Sequence, residues 1–103
     1  MSDKALQKLI TEFAKVPTVN KVILFGSRAR GDHRPRSDID LAIEAPFATN
    51  SHWLHINSII EEADTLLSID LVRLDEASDN IKDKIFQEGQ LLHARPEKPA
   101  ESQ

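Results

Sequence analysis

The chain has 103 residues, room for one small domain and not two, and a domain of this size buries only about 60–65% of the surface its unfolded chain exposes. It has no cysteine, which excludes disulfides and thiolate metal sites, and its N-terminus, Met-Ser-Asp-Lys, opens no apolar run; neither a signal peptide nor a membrane span is expected, and the expected compartment is the cytoplasm. A formal charge of −4 argues against sequence-independent nucleic-acid binding, which needs a broad basic face, although Arg28, Arg30, Arg34 and Arg36 form a local basic stretch suited to a compact polyanion.

Leu6, Leu9, Ile10 and Phe13 recur at helical spacing, which predicts a helix over residues 3–16 with Ser2 as N-cap and Pro17 as stop. Lys21 to Phe25 is a short β-rich run closed by Gly26, a buried strand. Residues 26–37 hold Gly26, Gly31 and Pro35 and read as a loop containing one helical turn. Asp38 to Glu44 alternates polar and apolar, a strand with Ile39, Leu41 and Ile43 on one face. From Ser51 to Leu67 an isoleucine, alanine and leucine stripe predicts a second long helix, and Ile69 to Leu74 a third strand. Ile81, Ile85 and Phe86 suggest a last helix closing at Gly89, and Leu91-Leu92 a short last strand. The body is expected over residues 1–94. From Arg95 the composition turns to Pro, Glu, Lys and Ser, an expected disordered tail over residues 95–103.

The first two strands, joined without a crossover helix, should be antiparallel neighbours, and the second and third, joined through a helix, parallel. The fold class is therefore α+β (an α/β mixed sheet): a small mixed β-sheet with flanking helices.

Asp38 and Asp40 are two apart on a strand, so both side chains leave one face with their Cα atoms about 7 Å apart. In the parallel register Asp70 falls near them. Two carboxylates at 4 Å repel by roughly 4 kcal/mol at an effective dielectric of about 20, so three together call for a hard cation such as magnesium. An isolated D-x-D is more often a loop cap beside an exposed edge. Here Gly26-Ser27 stands at the end of the preceding strand, with ten residues intervening before Asp38. Glycine lets backbone approach a ligand closely, and the Ser27 hydroxyl and nearby N–H groups can hold phosphate oxygens. Other phosphate-binding patterns fail: after the spacing Gly26 to Gly31, Asp32-His33 stands where a P-loop needs Lys and Ser/Thr, and no G-x-G-x-x-G occurs.

The stretch GSRARGDHRPRSDIDLAI, Gly26 to Ile43, resembles the G-S-x10-D-x-D signature of the polymerase-β-like nucleotidyltransferase superfamily. With its R-A-R-G segment and small size, the chain looks most like the minimal nucleotidyltransferase antitoxins of HEPN toxin–antitoxin pairs. The resemblance implies a nucleotidyltransferase fold and a magnesium-dependent enzyme with two ions and ATP as substrate. It implies that Gly26 and Ser27 bind the triphosphate and that Asp38, Asp40 and Asp70 are the catalytic and metal-binding carboxylates. Arg28 and Arg30 would either neutralise phosphates or pair with Asp32 and the helices. The implied reaction transfers AMP to a hydroxyl, tyrosine foremost, of a partner HEPN-type toxin. The alternatives are a small-molecule nucleotidyltransferase of the aminoglycoside type, for which the chain ends too soon to hold the acceptor, and a non-catalytic antitoxin module.

The histidines and the single tryptophan have simpler readings. His52 and His55 stand i, i+3 near a helix start with no third ligand in sight, so a surface helix is expected. The spacing Arg28 to His33 matches an R-x4-H pattern that belongs on a helix of an all-α ribonuclease, and is a coincidence here. Trp53 is expected in the core, with the anchoring of a partner as the alternative.

Overall fold

A computed structural model describes residues 3–31, 38–63 and 68–95. The elements run α1 (Asp3–Ala14), β1 (Lys21–Phe25), α2 (Ser27–Arg30), β2 (Ile39–Glu44), α3 (Asn50–Glu61), β3 (Ile69–Arg73), a 3-10 turn (Leu74–Glu76), α4 (Asp79–Glu88) and β4 (Gln90–Ala94). The four strands form one mixed sheet in the order β3-β2-β1-β4. β1 pairs antiparallel with β2 and with β4, and β2 pairs parallel with β3, as the connections required. The expected loop residues 32–37, the expected helix end at 64–67 and the tail from 96 lie outside the described residues.

β2 lies inside the sheet, with one face wholly apolar and Ala42 buried on the other. Ile39, Leu41 and Ile43 pack with Val22 and Leu24 of β1 and with Leu9, Phe13, Trp53, Ile56 and Ile59 of α1 and α3. Ala42 faces the other way, into a smaller cluster with Ile23, Phe25, Leu74 and Ile85. The sheet thus carries α1 and α3 on one face and α4 on the other. Each fully buried Leu, Ile or Phe contributes about 1.5–3 kcal/mol, and the two-helix face holds most of them.

The helices begin where local chemistry starts them. The Thr49 hydroxyl caps α3 by accepting from the His52 N–H, and His52 Nδ1 accepts from the Thr49 N–H at 3.0 Å, a capping box with histidine in the usual Glu/Gln position. His52 is therefore a structural residue. Trp53 is buried, with the Arg73 guanidinium 4.5 Å from its ring centre. α4 is capped by Ser78 and stops at Gly89, where a Cβ would stand 2.6 Å from Ile23 Cγ2, so glycine lets the helix end settle on β1.

β4 pairs with β1 through a register shift between Val22 and Ile23, a bulge at the sheet edge. Directly after it, Arg95, the first residue of the expected tail, is tied to the body. Its N–H donates to Asn20 O at 2.7 Å, Nε to Val19 O at 3.2 Å, and Nη2 to Val16 O at 2.9 Å and Ala14 O at 3.4 Å. The guanidinium so caps the C-terminal end of α1.

Candidate active site

The carboxylates stand at the end of the sheet where β1 finishes and β2 and β3 begin. Asp40 lies opposite Phe25 on β1 and beside Asp70 on β3. Residues in register on neighbouring strands point to the same face, so Asp40 and Asp70 project together on the α4 side of the sheet. Asp38, exposed, precedes β2 by one residue, and the Ile39 N–H donates to Ser68 O at 2.9 Å to start the parallel ladder. The sequence spacing fixes the D-x-D; the parallel pairing brings Asp70 to it.

Gly26 follows β1 with φ +78, and a Cβ there would collide with the Asp40 carboxylate. Both facts demand glycine: the backbone is left-handed, and the space a side chain would take is filled by Asp40. The Gly26 carbonyl then accepts from the Ala29 and Arg30 N–H groups, which turns the chain into α2. Ser27 opens that helix. The side chains of Ser27 and Arg28 lie outside the described set.

Asp40 records the crowding. Its carboxyl is held above the ordinary aspartate range by partial burial first, then by the negative charges of Asp70 and Asp38; Lys84 and Arg30 oppose the rise. All three carboxylates therefore share one electrostatic neighbourhood. The donor set is hard oxygen of the kind magnesium takes, and the mutual repulsion is what a cation would relieve. Among the described residues, no group of three or more acidic or imidazole side chains is already close enough to form a ready-made metal cage.

Arg30 is engaged elsewhere in part: its Nη1 donates to Glu88 Oε1 at 2.8 Å and pins α2 to the end of α4. This contact, 58 residues apart in sequence, has no local signature. The charge of Lys84 on α4, which opposes the rise at Asp40, has no local signature either. A cleft of about 330 Å³ between α1 and α3, lined by Lys8, Leu9, Glu12, His55 and Ile59 among others, opens on the opposite side of the sheet and has no part in this site. No helix among the described residues is long and apolar enough to cross a membrane.

The mixed four-stranded sheet with flanking helices is a nucleotidyltransferase-type fold. The model of the polymerase beta nucleotidyltransferase family matches residues 7–98, and the chain belongs to that family. No curated protein matches it. Among solved structures it is similar to a toxin–antitoxin complex with AMP-PNP, at 26% identity and a TM-score of 0.67 over 92% of this chain and 75% of the other. It also shares the fold of the complex of a tri-AMPylated Shewanella oneidensis HEPN toxin with its MNT antitoxin (24% identity, TM-score 0.66, 92% and 74% covered). A putative nucleotidyltransferase from Sulfolobus solfataricus shares it too (22%, 0.59, 89% and 79%).

Proposed function

We propose that this chain is a protein adenylyltransferase that moves AMP from ATP onto a hydroxyl, tyrosine foremost, of a HEPN-type partner toxin, and so acts as its antitoxin. The observation that supports this most is the pairing of Asp40 with Asp70 at the strand ends where Gly26 meets Asp40. The likeness to toxin–antitoxin complexes, one with AMP-PNP, supports the nucleotide and the partner class.

In this reading Gly26 and Ser27 take the triphosphate, with Arg28 and Arg30 offsetting its charge. Asp38, Asp40 and Asp70 would hold magnesium, which when bound supplies positive charge against the phosphates and the developing charge of the transition state. The acceptor oxygen attacks the α-phosphorus in line. The new oxygen–phosphorus bond forms as the bond from the α-phosphorus to the bridging oxygen breaks, and that electron pair departs with pyrophosphate. Asp70, exposed at the edge strand, faces the acceptor and takes the hydroxyl proton. Rate comes mainly from placing the acceptor oxygen, which the partner protein does by docking at the mouth of the site.

The test is to mix the chain with its HEPN-type partner, ATP and magnesium, and to weigh the partner by intact-mass spectrometry. Mass steps of whole AMP units, absent with Asp40→Asn, are the expected result. An unmodified partner that is nevertheless inhibited would replace this reading with inhibition by occlusion.

A further inference from the structure

α4 does more than cover the second sheet face. Ile85 is buried against Ile23, Phe25 and Ala42, which fixes α4 on the side of the sheet where Asp40 and Asp70 project. Glu88, at the end of the helix, is held by Arg30 just after the Gly26 turn. Lys84 sits one helical turn before Glu88, at i and i+4, where side chains lie about 5–6 Å apart on one helix side. Lys84 therefore stands on the helix side from which Glu88 reaches Arg30 of α2. Lys84 is exposed and, among the described residues, its ammonium has no hydrogen bond or ion pair. Arg30, by contrast, is tethered to a carboxylate.

We propose that Lys84 is a substrate-binding residue whose ammonium takes the β- and γ-phosphate oxygens of the nucleoside triphosphate and remains with the pyrophosphate as it leaves. The proposal rests on the nucleotidyltransferase reading above. A triphosphate entering beside three carboxylates needs cationic charge that can move with the leaving group. Lysine, a point charge on a flexible stem, is suited to that, whereas a guanidinium locked in an ion pair is not. The competing role for Lys84 is to quiet Asp40 alone, and then the phosphates beyond the α-position would not matter.

The test measures binding of AMP-PNP and of AMP, each with magnesium, to the wild-type chain and to Lys84→Gln, Lys84→Arg and Lys82→Gln. Lys82 lies on the same helix and controls for the loss of one positive charge. Thermal melts of all four report the fold. A charge-assisted hydrogen bond is worth about 1.5–3 kcal/mol, so Lys84→Gln should weaken AMP-PNP about tenfold or more, with AMP changed by less than about twofold. Lys84→Arg should recover most of the loss, and Lys82→Gln should bind as wild type. Wild-type affinity for AMP-PNP in Lys84→Gln, or equal losses for AMP-PNP and AMP, would overturn the assignment while leaving the nucleotidyltransferase reading intact. A wild-type chain that binds neither nucleotide would overturn both.

Discussion

The carboxylate of Asp40 occupies the space that a side chain on Gly26 would need, while Gly26 itself turns with φ +78. The two residues are thus one unit: the glycine that ends β1 is the floor on which the central carboxylate rests. Gly26→Ala should damage both partners. The left-handed backbone costs an L-residue about 1–2 kcal/mol, which in a domain of this size lowers Tm by roughly 4–8 °C per kcal/mol. The new methyl also displaces the Asp40 carboxylate. Nucleotidyl transfer should fall about a hundredfold or more, as a misplacement near 1 Å does in positioned catalysis. Thermal melting and a transfer assay check the two effects separately; a fully active Gly26→Ala would mean that Asp40 has another seat.

Asp40 should also set a pH dependence of its own. Its carboxyl is raised above the ordinary 3.8 by burial and by its acidic neighbours, so ionising it costs the folded state more than the unfolded one. The stability it permits is full below the ordinary aspartate value and is lost as pH rises through the raised one. In chelator, Asp40→Asn should therefore melt at or above the wild-type temperature at neutral pH. The advantage should shrink on acidification through that window. Other carboxylates change the curve too, so the difference between variants is the quantity to follow. A neutral-pH melt several degrees below wild type would show that the Asp40 charge is held by structure and not merely tolerated.

Much of this molecule is legible in its sequence because its signals are local. The β-rich run Lys21–Phe25 ends at a glycine, and the alternation from Ile39 to Glu44 sets which face each side chain takes. A helix between β2 and β3 dictates parallel pairing, and with it the approach of Asp70 to Asp40. The less legible features depend on tertiary contact. The capping box of α3 hides because histidine stands where Glu or Gln is usual. The place of β4 beside β1 and the Arg30–Glu88 pair join segments far apart, and no periodicity announces them.

The Arg30–Glu88 pair joins two half-exposed side chains, and surface pairs of this kind contribute about 0–1 kcal/mol. Glu88→Gln should therefore lower Tm by only a few degrees. It also removes one contact of the Arg30 guanidinium, whose charge acts on Asp40. Affinity for AMP-PNP should hold or rise slightly, up to about threefold, the scale of a screened surface charge. Calorimetric titration of the variant checks this. A marked loss of affinity would mean that Glu88 holds Arg30 where the nucleotide needs it.

Arg95 provides the sharpest test of where the folded body stops. The composition change at this residue reads as the start of a tail, yet its N–H and guanidinium donate to four carbonyls, of Ala14, Val16, Val19 and Asn20. These carbonyls belong to the end of α1 and the turn that leads into β1, where the helix leaves acceptors unpaired and its dipole favours a cation. A chain cut after Arg95 should melt within a few degrees of the full one, since composition gives residues 96–103 no apolar periodicity with which to dock. A chain cut after Ala94 should lose more, as should Arg95→Ala. Charged hydrogen bonds that remain partly solvated suggest about 1–2 kcal/mol, or roughly 4–15 °C in Tm. Arg95→Lys separates charge from geometry: an ammonium keeps the favourable dipole interaction but lacks the fork that serves Val19, Val16 and Ala14 together. It should recover less than half of the loss. If cutting after Ala94 and cutting after Arg95 give the same melting temperature, the carbonyls at the end of α1 are satisfied by water and Arg95 is not part of the body.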